Sequence, residues 1–137
     1  MLTACGQYHL ADSVWFFPEE MRTEVEHYLD YREQYLGSRR VNYRITLEFG
    51  VLPEPIIGRC ITKYSSDGYK SKYIVIDREE WITMVDLDRE QLLFHEFGHC
   101  DLDKSHTDHL SIMYPYQLYT SYYKLHREEF IRELFLN

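Results

Sequence analysis

At 137 residues the chain is long enough for one domain with its own core and too short for two comfortable ones. Its 45% hydrophobic and 28% charged residues describe an ordinary globular protein, neither disordered nor fibrous. The net charge of −8, with no basic block beyond the Arg39-Arg40 pair, argues against nucleic acid, and no apolar stretch is long enough to cross a membrane as a helix.

The N-terminus holds Leu2-Thr3-Ala4-Cys5-Gly6, which resembles the end of a bacterial lipobox. That resemblance implies a lipid anchor at Cys5, an extracytoplasmic location, and a Met1 that is either internal to a longer precursor or the start of a trimmed chain. The plainer reading is an ordinary tail with a free thiol, since no full signal peptide fits ahead of Cys5. Residues 1–12 are expected to be a flexible or lipid-anchored tail on a single domain spanning 1–137. Three cysteines allow at most one internal disulfide. If Cys5 is lipidated, Cys60 and Cys100 remain as a pair, which spacing alone does not establish.

Pro18, followed by Glu19 and Glu20, suits a helix start, and apolar residues at helical spacing from Met21 to Leu36 lead to Gly37 as a stop. A helix over 18–36 follows. Val41–Phe49 alternates as a strand, Pro53-Glu54-Pro55 breaks it, and Ile56–Tyr64 is a second strand candidate. Ser65-Ser66-Asp67-Gly68 signals a turn before a third strand, Tyr73–Ile76. Asp88 with Gln91 resembles a capping box that opens a helix through about Leu102. Asp103 to Pro115 reads as loop, and Thr120 to Phe135 as a last helix with Tyr123, Phe130, Ile131 and Leu134 on one stripe. The fold class is α+β, a small twisted sheet with N-terminal, central and C-terminal helices packed on it.

The central helix carries His95-Glu96-Phe97-Gly98-His99, an H-E-x-x-H motif. Residues four apart share a helical face, so both imidazoles can reach one metal ion, while Glu96 stands beside it free to take a proton from water. Chance alone would place such a motif in a chain of this composition with a probability of roughly 4%. The plain alternative is two solvated histidines on a surface helix, but a capped helix after a strand-rich region is the setting the chemistry requires. Leu92, Leu93, Phe97 and Cys100 fall on other faces, which makes Cys100 a packing residue first.

His106 supplies a third imidazole eleven positions after His95, and Ser111-Ile112-Met113-Tyr114-Pro115 follows. Together these segments resemble the zincin metallopeptidases of the metzincin-like branch, whose Met-turn packs a methionine beneath the zinc site. The stretch from His95 to Pro115 is also similar to small bacterial metallopeptidase-like lipoproteins. The resemblance implies a minimal zincin-like domain that binds Zn²⁺ through His95, His99 and His106, with Met113 in the Met-turn. It implies hydrolysis of peptide bonds in a peptide or protein substrate, with Glu96 as general base. The substrate would lie antiparallel to an edge strand, for which Ile56–Tyr64 is the candidate.

Two departures stand out. Metzincins carry H-E-x-x-H-x-x-G-x-x-H, whereas here Leu102 occupies the Gly position and the third His comes one residue late. Asp103 could take the left-handed conformation instead. Asp103, Asp108 and His109 compete with His106, as does a gluzincin-style Glu128 or Glu129 from the last helix. Tyr114 and Tyr116 are candidate transition-state stabilisers, although neither has the usual offset from Met113, and packing or rim positions suit both. His9, His27 and His126 read as ordinary histidines, and Asp12, Asp77 and Asp86 have no site spacing. A rival reading is a non-catalytic, zinc-stabilised protein on the same scaffold. Another is an enzyme that cleaves a different amide, such as a peptidoglycan cross-link.

Overall fold

The computed structural model describes residues 7–9 and 14–137. In chain order it contains β1 (Gln7–His9), β2 (Val14–Phe17), a 3-10 turn (Glu19–Met21), α1 (Arg22–Leu36), β3 (Arg44–Gly50), β4 (Gly58–Tyr64), β5 (Lys70–Asp77), α2 (Arg78–Thr83), α3 (Asp86–Cys100) and α4 (Thr120–Leu136). The α+β class expected above is the one found. Among the described residues no helix is long and apolar enough to cross a membrane.

The five strands run in the order β1-β2-β3-β5-β4. β2 and β5 flank β3 in parallel, while β4 is antiparallel to β5 and forms one edge of the sheet. From β3 the chain therefore passes to the edge and returns inward by a hairpin. The turn of that hairpin is the expected one: Gly68 has φ +84, which favours glycine, and the Ser65 N–H donates to the Tyr69 carbonyl. β5 extends beyond the expected Tyr73–Ile76 because both neighbours supply backbone partners along Lys70–Asp77.

Ile45 and Leu47 of β3 and Ile74 and Ile76 of β5 present one fully buried face. α3 lies over it with Leu92, Leu93, Phe94 and Phe97 buried. Tyr28 of α1 stacks on Phe97 with centroids 4.1 Å apart and meets Phe94 edge-on at 5.4 Å. Aromatic pairs of this kind add about 0.5–1.5 kcal/mol beyond their burial.

Several expectations need correction. The helix expected over 18–36 begins as a 3-10 turn, and only Arg22–Leu36 is α-helical, ending at Gly37 with φ +83. The Asp88–Gln91 capping box does not form, because α3 starts earlier, behind Val85, with no side-chain cap. The Asp88 carboxylate accepts instead from Thr120 Oγ1 at 2.7 Å, and Gln91 exchanges hydrogen bonds with the Leu118 backbone. The two residues pin the first residue of α4 and the segment just before it to α3, a tertiary role that mimics a cap in sequence. α3 also ends at Cys100 rather than Leu102. Three elements were not anticipated. β2 is a short apolar run without alternation, β1 falls within the expected tail, and α2 is a six-residue helix capped by Asp77, which accepts from the Glu80 N–H at 3.3 Å.

Candidate metal centre

His95 and His99 project from one face of α3, and the loop after it returns His106 to them. Ring centroids are 4.8 Å apart for His95–His99, 5.1 Å for His95–His106 and 4.9 Å for His99–His106. One nitrogen from each ring lies within 4.8 Å of the other two, so the cluster could hold a metal ion. Backbone carbonyls orient two of the rings: His95 Nδ1–H donates to Ile112 at 2.6 Å and His99 Nδ1–H to Lys104 at 2.7 Å. These bonds assign the tautomer and leave each Nε2 lone pair free for a ligand bond. Burial holds the His95 imidazole down to about 4, against the pull of the Ile112 carbonyl, and the rings of His99 and His106 add to the lowering. Burial likewise lowers His99. Burial thus favours the neutral form of both rings, the form a metal ligand needs.

The one-residue delay of His106 has a structural cause. A usual Schellman ending places one left-handed residue after the helix and closes with a bond from the next N–H to a carbonyl five residues back. Here Asp103 is the left-handed residue, with φ +55, and the following Lys104 N–H reaches the Gly98 carbonyl, six residues back, at 2.9 Å. The extra residue is absorbed where the Asp101 and Leu102 N–H groups both point at the Phe97 carbonyl, at 2.7 and 3.4 Å. Asp103 is thus the left-handed exit from α3, three residues ahead of His106. Tyr43 O–H donates to Asp103 at 2.7 Å and Lys72 Nζ lies 3.6 Å away, which holds the turn in place.

Met113 packs from below. It is buried, and a Cβ added to Gly98 would collide with its sulfur. That contact explains a glycine in the last turn of α3, since within a helix glycine costs up to about 1 kcal/mol relative to Ala. The Thr107 N–H donates to the Met113 carbonyl at 3.0 Å and the Thr107 and Ser111 hydroxyls meet at 2.8 Å, closing the loop that carries both His106 and Ile112.

Glu96 faces the opposite wall. Its side chain is 4% exposed, Oε1 has no hydrogen-bond partner, and burial pushes its pKa up to about 8 against a weaker pull from Arg59. A Cβ on Gly58 of β4 would lie 2.9 Å from Glu96 Oε2, so only glycine leaves that carboxylate room. Cys60, two residues along β4, forms a disulfide with Cys100, adjacent to His99. Cys100 is fully buried as well as bonded. Between β4 and α3 opens a cleft of about 610 Å³, lined by the three histidines, Glu96 and the segment 55–60, with Tyr114 and Tyr116 on the far side. Tyr114 is half-buried and Tyr116 exposed.

The competing ligands are engaged elsewhere. Asp103 supports the turn, His109 Nε2 bonds Glu133 at 2.6 Å, and Asp108 is exposed beside His109. Glu128 accepts from Tyr31 and Arg127, and Glu129 pairs with His126. His27 flanks Glu90, His9 lies in β1, and Asp86 sits in the first turn of α3. Cys5 and Asp12 are outside the described residues. Two residues with structural weight went unanticipated. Asp101, fully buried, accepts from Tyr28 at 2.6 Å, Arg32 at 2.7 Å and the Asn42 N–H at 2.7 Å. Glu90 receives Tyr123 and both arms of Arg127 at 2.7–2.8 Å. No local spacing announces either, because their partners come from distant segments. No family model, curated protein or solved structure matches the chain.

Proposed function

We propose that the chain is a zinc-dependent peptidase of metzincin-like build. The observation that carries this reading is the convergence of three imidazoles beside a buried carboxylate with an unpartnered oxygen, on the floor of an open cleft. The donor set fits zinc: three imidazole nitrogens make an open site, whereas structural zinc sites close with four side chains and favour Cys. The orphaned Glu96 Oε1 fits too, since an unpaired buried oxygen is costly unless something in the working site bonds to it. His95, His99 and His106 would hold the ion.

Bound zinc supplies a Lewis acid and brings the pKa of water toward neutrality. The rest belongs to the chain. Glu96 takes a proton from the attacking water as its oxygen bonds to the peptide carbonyl carbon. It then delivers that proton to the leaving amine nitrogen as the C–N bond breaks. β4 pairs only with β5 among the described residues, so its outer edge is open to an extended peptide. A purely structural metal site has no need of Glu96, which weighs against the non-catalytic reading. The Cys60–Cys100 disulfide supports an oxidising, extracytoplasmic location, with lipidation at Cys5 as part of the same proposal.

The test pairs two variants. The wild-type protein should carry about one zinc per chain by elemental analysis, and His95→Ala combined with His99→Ala should carry none. Glu96→Gln should keep its zinc while losing cleavage of a peptide mixture by 10²–10⁴-fold or more, as expected for a lost general base. Full zinc occupancy in the double variant, or undiminished cleavage by Glu96→Gln, would overturn the proposal.

A further inference from the structure

The cleft lining is mostly apolar or aromatic, and its one cationic side chain apart from the imidazoles is Arg59, on the edge strand. Other arginines are engaged: Arg22 with Glu19, Arg32 with Asp101, Arg78 with Glu20 and Arg127 with Glu90. Arg59 is exposed and makes no ion pair or hydrogen bond through its side chain with any described residue. It follows Gly58, whose added Cβ would lie 2.9 Å from Glu96 Oε2. A strand advances about 3.3 Å per residue and alternates its faces, so Arg59 leaves β4 on the face opposite Gly58 and Cys60, where an extended chain added to the open edge would place a side chain within a residue or two of the bond that Glu96 attends.

We infer that Arg59 is a specificity-determining residue that binds a carboxylate of the substrate next to the scissile bond, which assigns acidic peptides or free C-termini as the favoured class. This rests on the peptidase reading. The guanidinium presents a planar fork of donors that matches a carboxylate with two parallel bonds. The chain's overall charge of −8 works against acidic ligands. That field is screened beyond about 8 Å at physiological salt, however, so the contact at Arg59 decides.

The experiment uses two readouts. First, zinc-loaded protein is offered a pool of randomised decapeptides, as free acids and as C-terminal amides, and the cut sites are read by mass spectrometry. Wild type should enrich Asp or Glu within two residues of the cut, or cut only near free C-termini, and the amide arm separates these two sources. In Arg59→Ala the preference ratio should fall roughly ten- to a hundredfold. Arg59→Lys should restore part of it, and Arg59→Glu should shift it toward Lys and Arg. Second, binding of Asp/Glu-rich and Asn/Gln-rich heptapeptide pools to Glu96→Gln protein is followed by amide shifts at Gly58–Cys60. The acidic pool should bind tighter, and Arg59→Ala should erase the difference. Cleavage without carboxylate preference, or with a preference unchanged in Arg59→Ala, overturns the Arg59 inference and leaves the peptidase reading standing. No cleavage together with Arg59-dependent binding overturns the peptidase reading and keeps a carboxylate site. Absence of both cleavage and differential binding overturns the two together.

Discussion

Glu96 and Asp101 are buried carboxylates five residues apart, one within α3 and one capping its end, and they are treated in opposite ways. Asp101, on the side facing α1, is saturated by Tyr28, Arg32 and Asn42. Glu96, on the side facing β4, keeps one oxygen without a partner. Glu90, a turn and a half earlier, follows the Asp101 pattern with Tyr123 and Arg127. Burial alone does not mark function, since all three are at most 4% exposed. What separates them is satisfaction. A buried charge with a full set of donors is scaffold, and a buried oxygen left open toward a cleft is held ready for something else.

The sharpest way to break the comparison is to remove each carboxylate and measure stability by denaturant unfolding. Asp101→Ala strands the buried guanidinium of Arg32 and the Tyr28 hydroxyl, and should cost about 3–5 kcal/mol. Glu96→Gln in metal-free protein should cost nothing or stabilise slightly, because it removes an ionisable group from a site that disfavours the charge. Equal losses in the two variants would erase the distinction.

Opening the Cys60–Cys100 bond by Cys60→Ser with Cys100→Ser comes next. The bond closes 40 residues of sequence separation, for which chain entropy gives about 4 kcal/mol, an upper figure since such bonds often yield less. The cleft wall on β4 should loosen more than the Asp101 side, visible as faster amide exchange at Gly58–Tyr64 than in α1. Uniform loss of protection would argue against a local role.

Gly98→Ala tests the methionine floor. Helix propensity favours Ala by about 1 kcal/mol, but collision with Met113 should outweigh it with a net loss of about 1–2 kcal/mol. Adding Met113→Ala should relieve the clash, so that the double variant is more stable than the two single losses predict. Simple additivity would remove Met113 from beneath the helix.

The smallest effect concerns Glu24, whose Oε1 is also unpartnered. Burial raises its pKa, with the backbone bond and Arg89 opposing. A carboxyl raised in the folded state contributes stability that is full below the ordinary carboxylate range and is lost as pH rises through the folded value. Glu24→Gln should therefore stabilise at pH 7 by about 1 kcal/mol, and the gain should vanish below about pH 4.5. A gain that persists in acid would point to packing rather than charge.

Much of the site was legible locally. His95, Glu96 and His99 sit within five residues on one helix, and a 3.6-residue period is enough to face two imidazoles the same way. Asp103 as the left-handed residue was also readable, because few residue types accept that conformation. Elements with strong local grammar, such as α4 and the Ser65–Gly68 turn, fell close to their expected places. β2 and α2 did not announce themselves. A four-residue parallel strand and a six-residue helix are too short to show a period, and their stability comes from neighbours.

By itself, then, the sequence determined whatever depends on residues within a turn or two of each other: the paired imidazoles, the carboxylate beside them, the left-handed exit and the glycine punctuation. Only the tertiary structure decided which cysteines meet, which of several later acids and histidines joins the cluster, and which strand lies at the edge beside α3. It alone distinguished the saturated carboxylates from the open one. The disulfide and the carboxylate partners lie 33 to 73 residues apart. Chain closure over such distances is decided by the packing of the whole core and leaves no periodic trace in the residues themselves.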